Sequence, residues 1–327
     1  MNECDRDHDR PATPDRDGTS RRDVLRGGAT VGLAAIGAAA FGAGPFGAGP
    51  FGASQAAAAS QEAAAEPAAR NGNIRQSVVK WCFSSLDVPS LARHAKAMGL
   101  ESVELVPAEH WPLLKSLGLA CAITSSHGFE KGFANPDEQA ECIDILRQRI
   151  DETSAAGFRN VITFSGFLRG GMAVGEAIDN MVAGYKKIVG HAEKKKVNLA
   201  LEMLNTRVDE RMKGHPGYMC DKIEYALEVC KRVGSERMKL LFDIYHVQIM
   251  EGDVIVRLRE CKDYIAHYHT AGVPGRREID DEQELNYPGI MKAIAATGYD
   301  GFVGQEFIPT WKDPIAALAH AVRACDV

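Results

Sequence analysis

The sequence predicts an α/β protein, a closed (β/α)₈ barrel of the TIM type behind an N-terminal export and linker segment. Three observations predict it. From about residue 75 onward, short apolar runs rich in β-formers alternate with amphipathic stretches of helical period. Eight such strand–helix units in roughly 250 residues suit a closed barrel. The run "WCFSSLD" after the first strand lacks the Gly-rich phosphate turn usual in a doubly wound sheet, and the chain carries no Walker sequence.

The elements follow in order. Strands are expected at "SVVKWCF", "ESVELV", "LACAITSS", "NVITFSG", "VNLALEML", "MKLLFDIYH", "YIAHYHTAG" and "GFVGQEF". Helices are expected at residues 137–157, 175–196, 221–234 and 313–325, where apolar residues recur at helical spacing. The barrel accordingly spans residues 75–327.

Residues 1–70 have a different composition. "SRRDVLR" precedes the weakly apolar "GGATVGLAAIGAAAFGAG", and the low-complexity "GPFGAGPFGA" and "SQAAAASQEAAAEPAA" follow. Paired arginines, a short apolar stretch and small residues form the pattern of a twin-arginine export signal. The expected location is therefore periplasmic or otherwise extracytoplasmic. That Gly-rich stretch is a poor membrane anchor, and no other apolar run of about 20 residues is present, so no stable membrane span is expected.

The net charge of −6 argues against a nucleic-acid surface, which needs a basic stripe. Of the eight cysteines, seven lie beyond the signal, an odd number without a C-x-x-C pair. They read as small buried apolar residues rather than a disulfide framework.

Function should lie at the carboxyl ends of the strands. The stretch "LLFDIYHVQIMEGD" places Asp243 inside an apolar run, where an ionised carboxylate is costly unless a cation or a partner charge compensates it. Glu202 in "NLALEML", His269 in "IAHYHTAG" and Glu306 in "VGQEF" occupy equivalent places. The four fall one each on the fifth to eighth predicted strands and would converge on one point. Three carboxylates cannot share a dry cavity at neutral pH without a cation. Three oxygens and one imidazole suit one divalent ion, Mn²⁺ or Mg²⁺, with Co²⁺ also fitting. His267 reads as a deeper buttress of the same strand face. His246, just past the sixth strand, and His127, after the third, are candidates for contact with substrate. His94, His110, His191, His215 and His320 read as solvated.

At this point the residues resemble a known family. "LALEMLN", "LLFDIYHVQIMEGD", "IAHYHTAGVPGR", "ELNYPGIMKAI" and "GYDGFVGQEF" are similar to the hydroxypyruvate isomerase family. That family belongs to the xylose-isomerase-like barrels, which also hold ketose 3-epimerases and inosose dehydratases. The resemblance implies that Glu202 and Glu306 act as the proton donor and acceptor, with Asp243 and His269 completing the metal ligands. It implies substrate contacts from His246 and Arg276. Two departures stand out. His269 replaces the glutamine of the isomerases and matches the histidine of the ketose 3-epimerases. The loop "RREIDDEQELNY" replaces the family's P-G-T-G-E turn.

The chemistry expected is proton transfer on an α-hydroxycarbonyl compound or sugar, with two neighbouring oxygens on the metal and a carboxylate at the carbon between them. Arg276 could grip a substrate carboxylate in a bidentate fork. Return of the proton to the adjacent carbon gives isomerisation, and return to the opposite face of the same carbon gives epimerisation. A nuclease of the apurinic type, which would need a larger histidine set, and a non-catalytic sugar-binding barrel are the remoter readings. A homo-oligomer is compatible with all of them.

Overall fold

The computed structural model describes residues 67–327. The arginine-bearing segment expected at residues 20–26 lies outside the described residues.

Seven parallel strands form one curled sheet: β1 Arg75–Val79, β2 Ser102–Glu104, β3 Asn160–Thr163, β4 Asn198–Glu202, β5 Met238–Asp243, β6 Ile265–Thr270 and β7 Phe302–Gln305. Their order is β2-β1-β7-β6-β5-β4-β3, so β1 pairs with both β2 and β7. Helices α1 Val88–Ala97, α2 Trp111–Ser116, α3 Gln139–Ala155, α4 Val174–Lys195, α5 Ile223–Val233, α6 Ile244–Met250, α7 Val254–Glu260, α8 Tyr287–Ala295 and α9 Pro314–Cys325 connect them. The four helices expected from periodicity correspond to α3, α4, α5 and α9.

The expected third strand, at 119–126, is the one that differs. It makes only two isolated bridges, Ser102 with Ala120 and Thr124 with Val161. These still close the ring between β2 and β3. Backbone bonds still tie the segment at both ends, Val103 N to Ala120 O and Ile162 N to Thr124 O among them, and side chains serve Ala122 between them: Ala122 N donates to Ser102 Oγ at 2.8 Å and Asn160 Nδ2 donates to Ala122 O at 2.9 Å. Local side-chain partners compete with a regular ladder for the backbone groups, so the apolar run stays irregular.

Helix entries are fixed by caps at strand and loop ends. Asp87 accepts from Ser90 N, Asn286 from Gly289 N, and Asp313 from Ile315 N and Ala316 N, each ahead of a proline in the first turn. Asp243 ends β5 and caps α6 by accepting from Tyr245 N at 2.8 Å. This strand-to-helix corner is why "DIYH" carries Asp243 and His246 to the same rim. The ladder between β5 and β6 shifts at Leu240/Leu241, which sets His267 opposite Leu241 and His269 opposite Asp243.

Candidate active site at the carboxyl rim

Glu202 is the last residue of β4, Asp243 the last of β5, His269 the fifth of β6, and Glu306 follows β7 directly. All four are buried, and one ligand atom from each lies within 4.8 Å of the others. His269 Nδ1 stands 2.8 Å from Glu306 Oε2 and 3.6 Å from Glu202 Oε1. Yet His269 Nδ1 and Glu202 Oε1 make no hydrogen bond, although both are buried.

Arg276, expected to contact substrate, is 2% exposed and enters the same cluster. Its Nη2 donates to Glu306 Oε2 and, at 3.2 Å, to Asp243 Oδ2, while Nη1 donates to Met212 O at 2.7 Å. The guanidinium lies between the rings of Trp81 and Tyr245, 5.2 and 5.4 Å from their centres. Trp81 Nε1 donates to the other oxygen of Glu306 at 3.1 Å.

These contacts divide the carboxylates. Burial, the largest influence on each, raises a carboxyl pKa. At Glu306 the Arg276 charge and His269 outweigh it and hold the group well below the usual range. At Glu202 burial wins, with the Glu306 charge adding to it, and the pKa rises. Asp243 is likewise pushed up, to about 7, by burial and by Glu306 against the pull of Arg276. Burial would lower His269, but Glu306 and its other carboxylate partners raise it.

His246 is buried beside Asp243, with Nε2 3.4 Å from Asp243 Oδ2. Its Nδ1 accepts from the backbone N of Asn205 at 2.9 Å, which assigns the ring hydrogen to Nε2. Burial, then Arg276, keeps this imidazole neutral.

A cavity of about 250 Å³ opens onto the cluster. Glu202, Glu306 and Arg276 line its floor, and Trp81, Leu105, Phe129, Phe164, Leu204 and Met212 make an apolar wall. His127 does not line it: Nδ1 faces Lys131 O and Nε2 faces Thr163 Oγ1, each at 3.1 Å. His246 stands behind Asp243 rather than on the lining.

Two residues escaped the sequence reading. His215, expected to be solvated, is 6% exposed and lines the cavity, its ring 4.3 Å from that of Phe129. The loop after β4 folds it inward, and no periodic pattern marks such a loop. Glu104 ends β2 as the others end their strands, and it is fully buried against His267 and His269. Its place inside the apolar run "ESVELV" was the available signal.

The donor set can be tested against a divalent ion. Three carboxylates and an imidazole are hard, oxygen-rich ligands of the type Mn²⁺ or Mg²⁺ takes. Two of them present buried atoms without hydrogen-bond partners, which is the state of a lone pair directed at a cation. The residues fit such an ion.

A parallel barrel with carboxylates and a histidine gathered on adjacent strand tips defines the class: an α/β barrel with its candidate site at the carboxyl rim. The chain belongs to the xylose isomerase-like TIM barrel family, whose sequence profile matches residues 92–325. It is 40% identical over 113 residues to 2-oxo-tetronate isomerase of Cupriavidus necator, a match covering 35% of this chain and 41% of that protein. It is 29% identical over 253 residues to a human protein named, provisionally, as a hydroxypyruvate isomerase, covering 71% of this chain and 88% of that one. Among solved structures, the family 2 AP endonuclease of Brucella melitensis superposes with a TM-score of 0.65 at 24% identity, over 75% of this chain and 97% of that one. That likeness carries the fold alone. Among the described residues, no helix is long and apolar enough to cross a membrane.

Proposed function

We propose that the chain is a divalent-metal-dependent isomerase of a short α-hydroxycarbonyl acid, converting hydroxypyruvate or a close analogue to the aldehyde isomer. The observation that carries this is the convergence of Glu202, Asp243, His269 and Glu306 within 4.8 Å at the rim of one barrel. The two relatives described above bear isomerase names built on short keto acids.

Glu202, Asp243, His269 and Glu306 would hold the ion, and an ion held there supplies Lewis-acid stabilisation to neighbouring substrate oxygens. The chain's own residues do the rest. Glu306, held ionised by Arg276 and His269, is suited to take the proton from the hydroxyl-bearing carbon next to the carbonyl. Glu202, whose pKa is raised, is suited to carry a proton and return it to the neighbouring carbon. Arg276 presents a guanidinium on the cavity floor for the substrate carboxylate. The apolar wall offers few partners for a long row of hydroxyls, which favours a short substrate over a hexose.

The test is a panel of hydroxypyruvate, tartronate semialdehyde, ketohexoses and inosose, incubated with Mn²⁺ in D₂O and followed by NMR. Hydroxypyruvate should lose a C–H signal and yield the aldehyde. Glu306→Gln should abolish that exchange while keeping the fold. Retained exchange in Glu306→Gln would remove Glu306 from the mechanism. Epimerisation is the second reading, favoured by His269, and it is recognised by deuterium entering the same carbon with inversion. Export through the segment at residues 20–26 is part of the proposal, and cell fractionation of the full chain against an Arg21→Lys/Arg22→Lys variant tests it.

A further inference from the structure

We infer that Glu104 is a positioning residue for His269, taking the hydrogen at Nε2 so that Nδ1 presents its lone pair to the metal centre. The inference rests on the metal site proposed above.

Glu104 comes from β2, 165 residues before His269 in sequence. Its Oε1 lies 2.9 Å from His269 Nε2 and 2.9 Å from His267 Nε2. One oxygen thus accepts from two imidazoles, whose rings meet edge to face at 4.9 Å. His269 has two neutral tautomers. With the hydrogen on Nδ1, the Nε2 lone pair would confront a carboxylate oxygen at 2.9 Å, a repulsive contact. With it on Nε2, the contact is a charge-assisted hydrogen bond, and Nδ1 is left without a hydrogen. Nδ1 then meets Glu306 Oε2 at 2.8 Å as one lone pair against another, a contact that a cation held between the two groups would relieve. A carboxylate behind a ligating imidazole fixes its orientation and raises its basicity. His267 has no place in the proton transfer, and in this arrangement it pins the shared oxygen.

Gly304 makes the arrangement possible. It is the ladder partner of His269 on β7. A Cβ there would stand 2.2 Å from Glu104 Oε1 and 3.0 Å from His269 Cδ2. Any side chain at 304 would displace the carboxylate from the imidazole.

The experiment measures Mn²⁺ affinity by titration calorimetry on the full chain, with the His269 tautomer read by long-range ¹H–¹⁵N NMR in the presence of Mg²⁺. Thermal melts of metal-free samples serve as the control for folding. Wild type should show His269 protonated at Nε2. Glu104→Gln should weaken Mn²⁺ binding ~10–100-fold and disturb the tautomer. Gly304→Ala, which leaves every charge in place, should weaken binding in the same direction. Wild-type affinity with an undisturbed tautomer in Glu104→Gln would overturn the inference while leaving the metal site standing. Should Glu104→Gln not fold, Gly304→Ala with wild-type affinity would overturn it equally. A wild-type chain that binds neither ion would instead overturn the proposed function.

Discussion

Arg276 shows how much a single residue can bind together. Its guanidinium joins Asp243 and Glu306, reaches Met212 O, and sits between two aromatic rings. Its backbone has φ +54, a left-handed conformation that non-glycine residues seldom adopt. Replacing it by Met leaves two buried carboxylates without that counter-charge. Arg276→Met should cost about 3–5 kcal/mol of stability in denaturant unfolding without metal. Arg276→Lys should recover part of it, since the charge returns but the fork does not. The family resemblance singled out this arginine but not its burial, because the loop that turns it inward carries no periodic signal. The carboxylates were easier to see: Asp243 and Glu202 interrupt apolar runs, and only a strong local reason keeps such residues there. Glu104 interrupts a run too, but its strand is three residues long and its partners lie 163 and 165 residues away.

At the level of elements, the irregular segment at 119–126 has the weakest claim to its place and depends on its neighbours. Asn160 is the hinge pin: Nδ2 donates to Ala122 O, Oδ1 accepts from Asn198 Nδ2, and its carbonyl accepts from Thr124 N. Asn160→Ala removes the first two. It should destabilise the protein by about 1–3 kcal/mol, since Ala122 O is left buried and unpaired. Hydrogen exchange should quicken first at Thr124 and Ile162, the amides that join this segment to β3. The helices were legible in sequence because α4 and α5 carry long amphipathic patterns with clear ends, Lys196 and Gly234 both being left-handed. The segment at 119–126 was not. An apolar run of that length looks the same whether its ladder is continuous or broken by side-chain partners.

For the whole molecule, ion binding and folding should be linked. An ion that binds only the folded barrel stabilises it by about 2.7 kcal/mol at a hundred times its dissociation constant. Adding Mn²⁺ should therefore raise the melting temperature, and a chelator should return it. Acid should act in the opposite sense. Burial, the dominant cause at both residues, lowers His127 and His215 to about 4 from 6.5. Over that window the unfolded chain binds protons that the folded one refuses, so stability falls as pH falls from about 6.5 to about 4. Asp243 works against this, since its raised pKa lets the folded, metal-free chain hold a proton that the unfolded one releases. His215→Gln removes one of the refusing groups. It should flatten the slope of stability against pH in that window by up to about 1.4 kcal/mol per pH unit, as measured by denaturant titration at several pH values.

The seven cysteines of the described residues are all free and all buried. Burial leads the causes that push Cys121, Cys142, Cys230, Cys261 and Cys325 up to about 12 and Cys82 well above its usual range. Only the thiolate reacts with alkylating reagents, so the native chain should take up iodoacetamide very slowly at neutral pH. Each thiol then becomes a shutter that opens only when its own part of the barrel breathes. Timed alkylation read by mass spectrometry would rank those openings, with Cys82 reporting on the catalytic mouth and Cys325 on the closing helix. Divalent ions, if they clamp β4 to β7 together, should slow the first far more than the second.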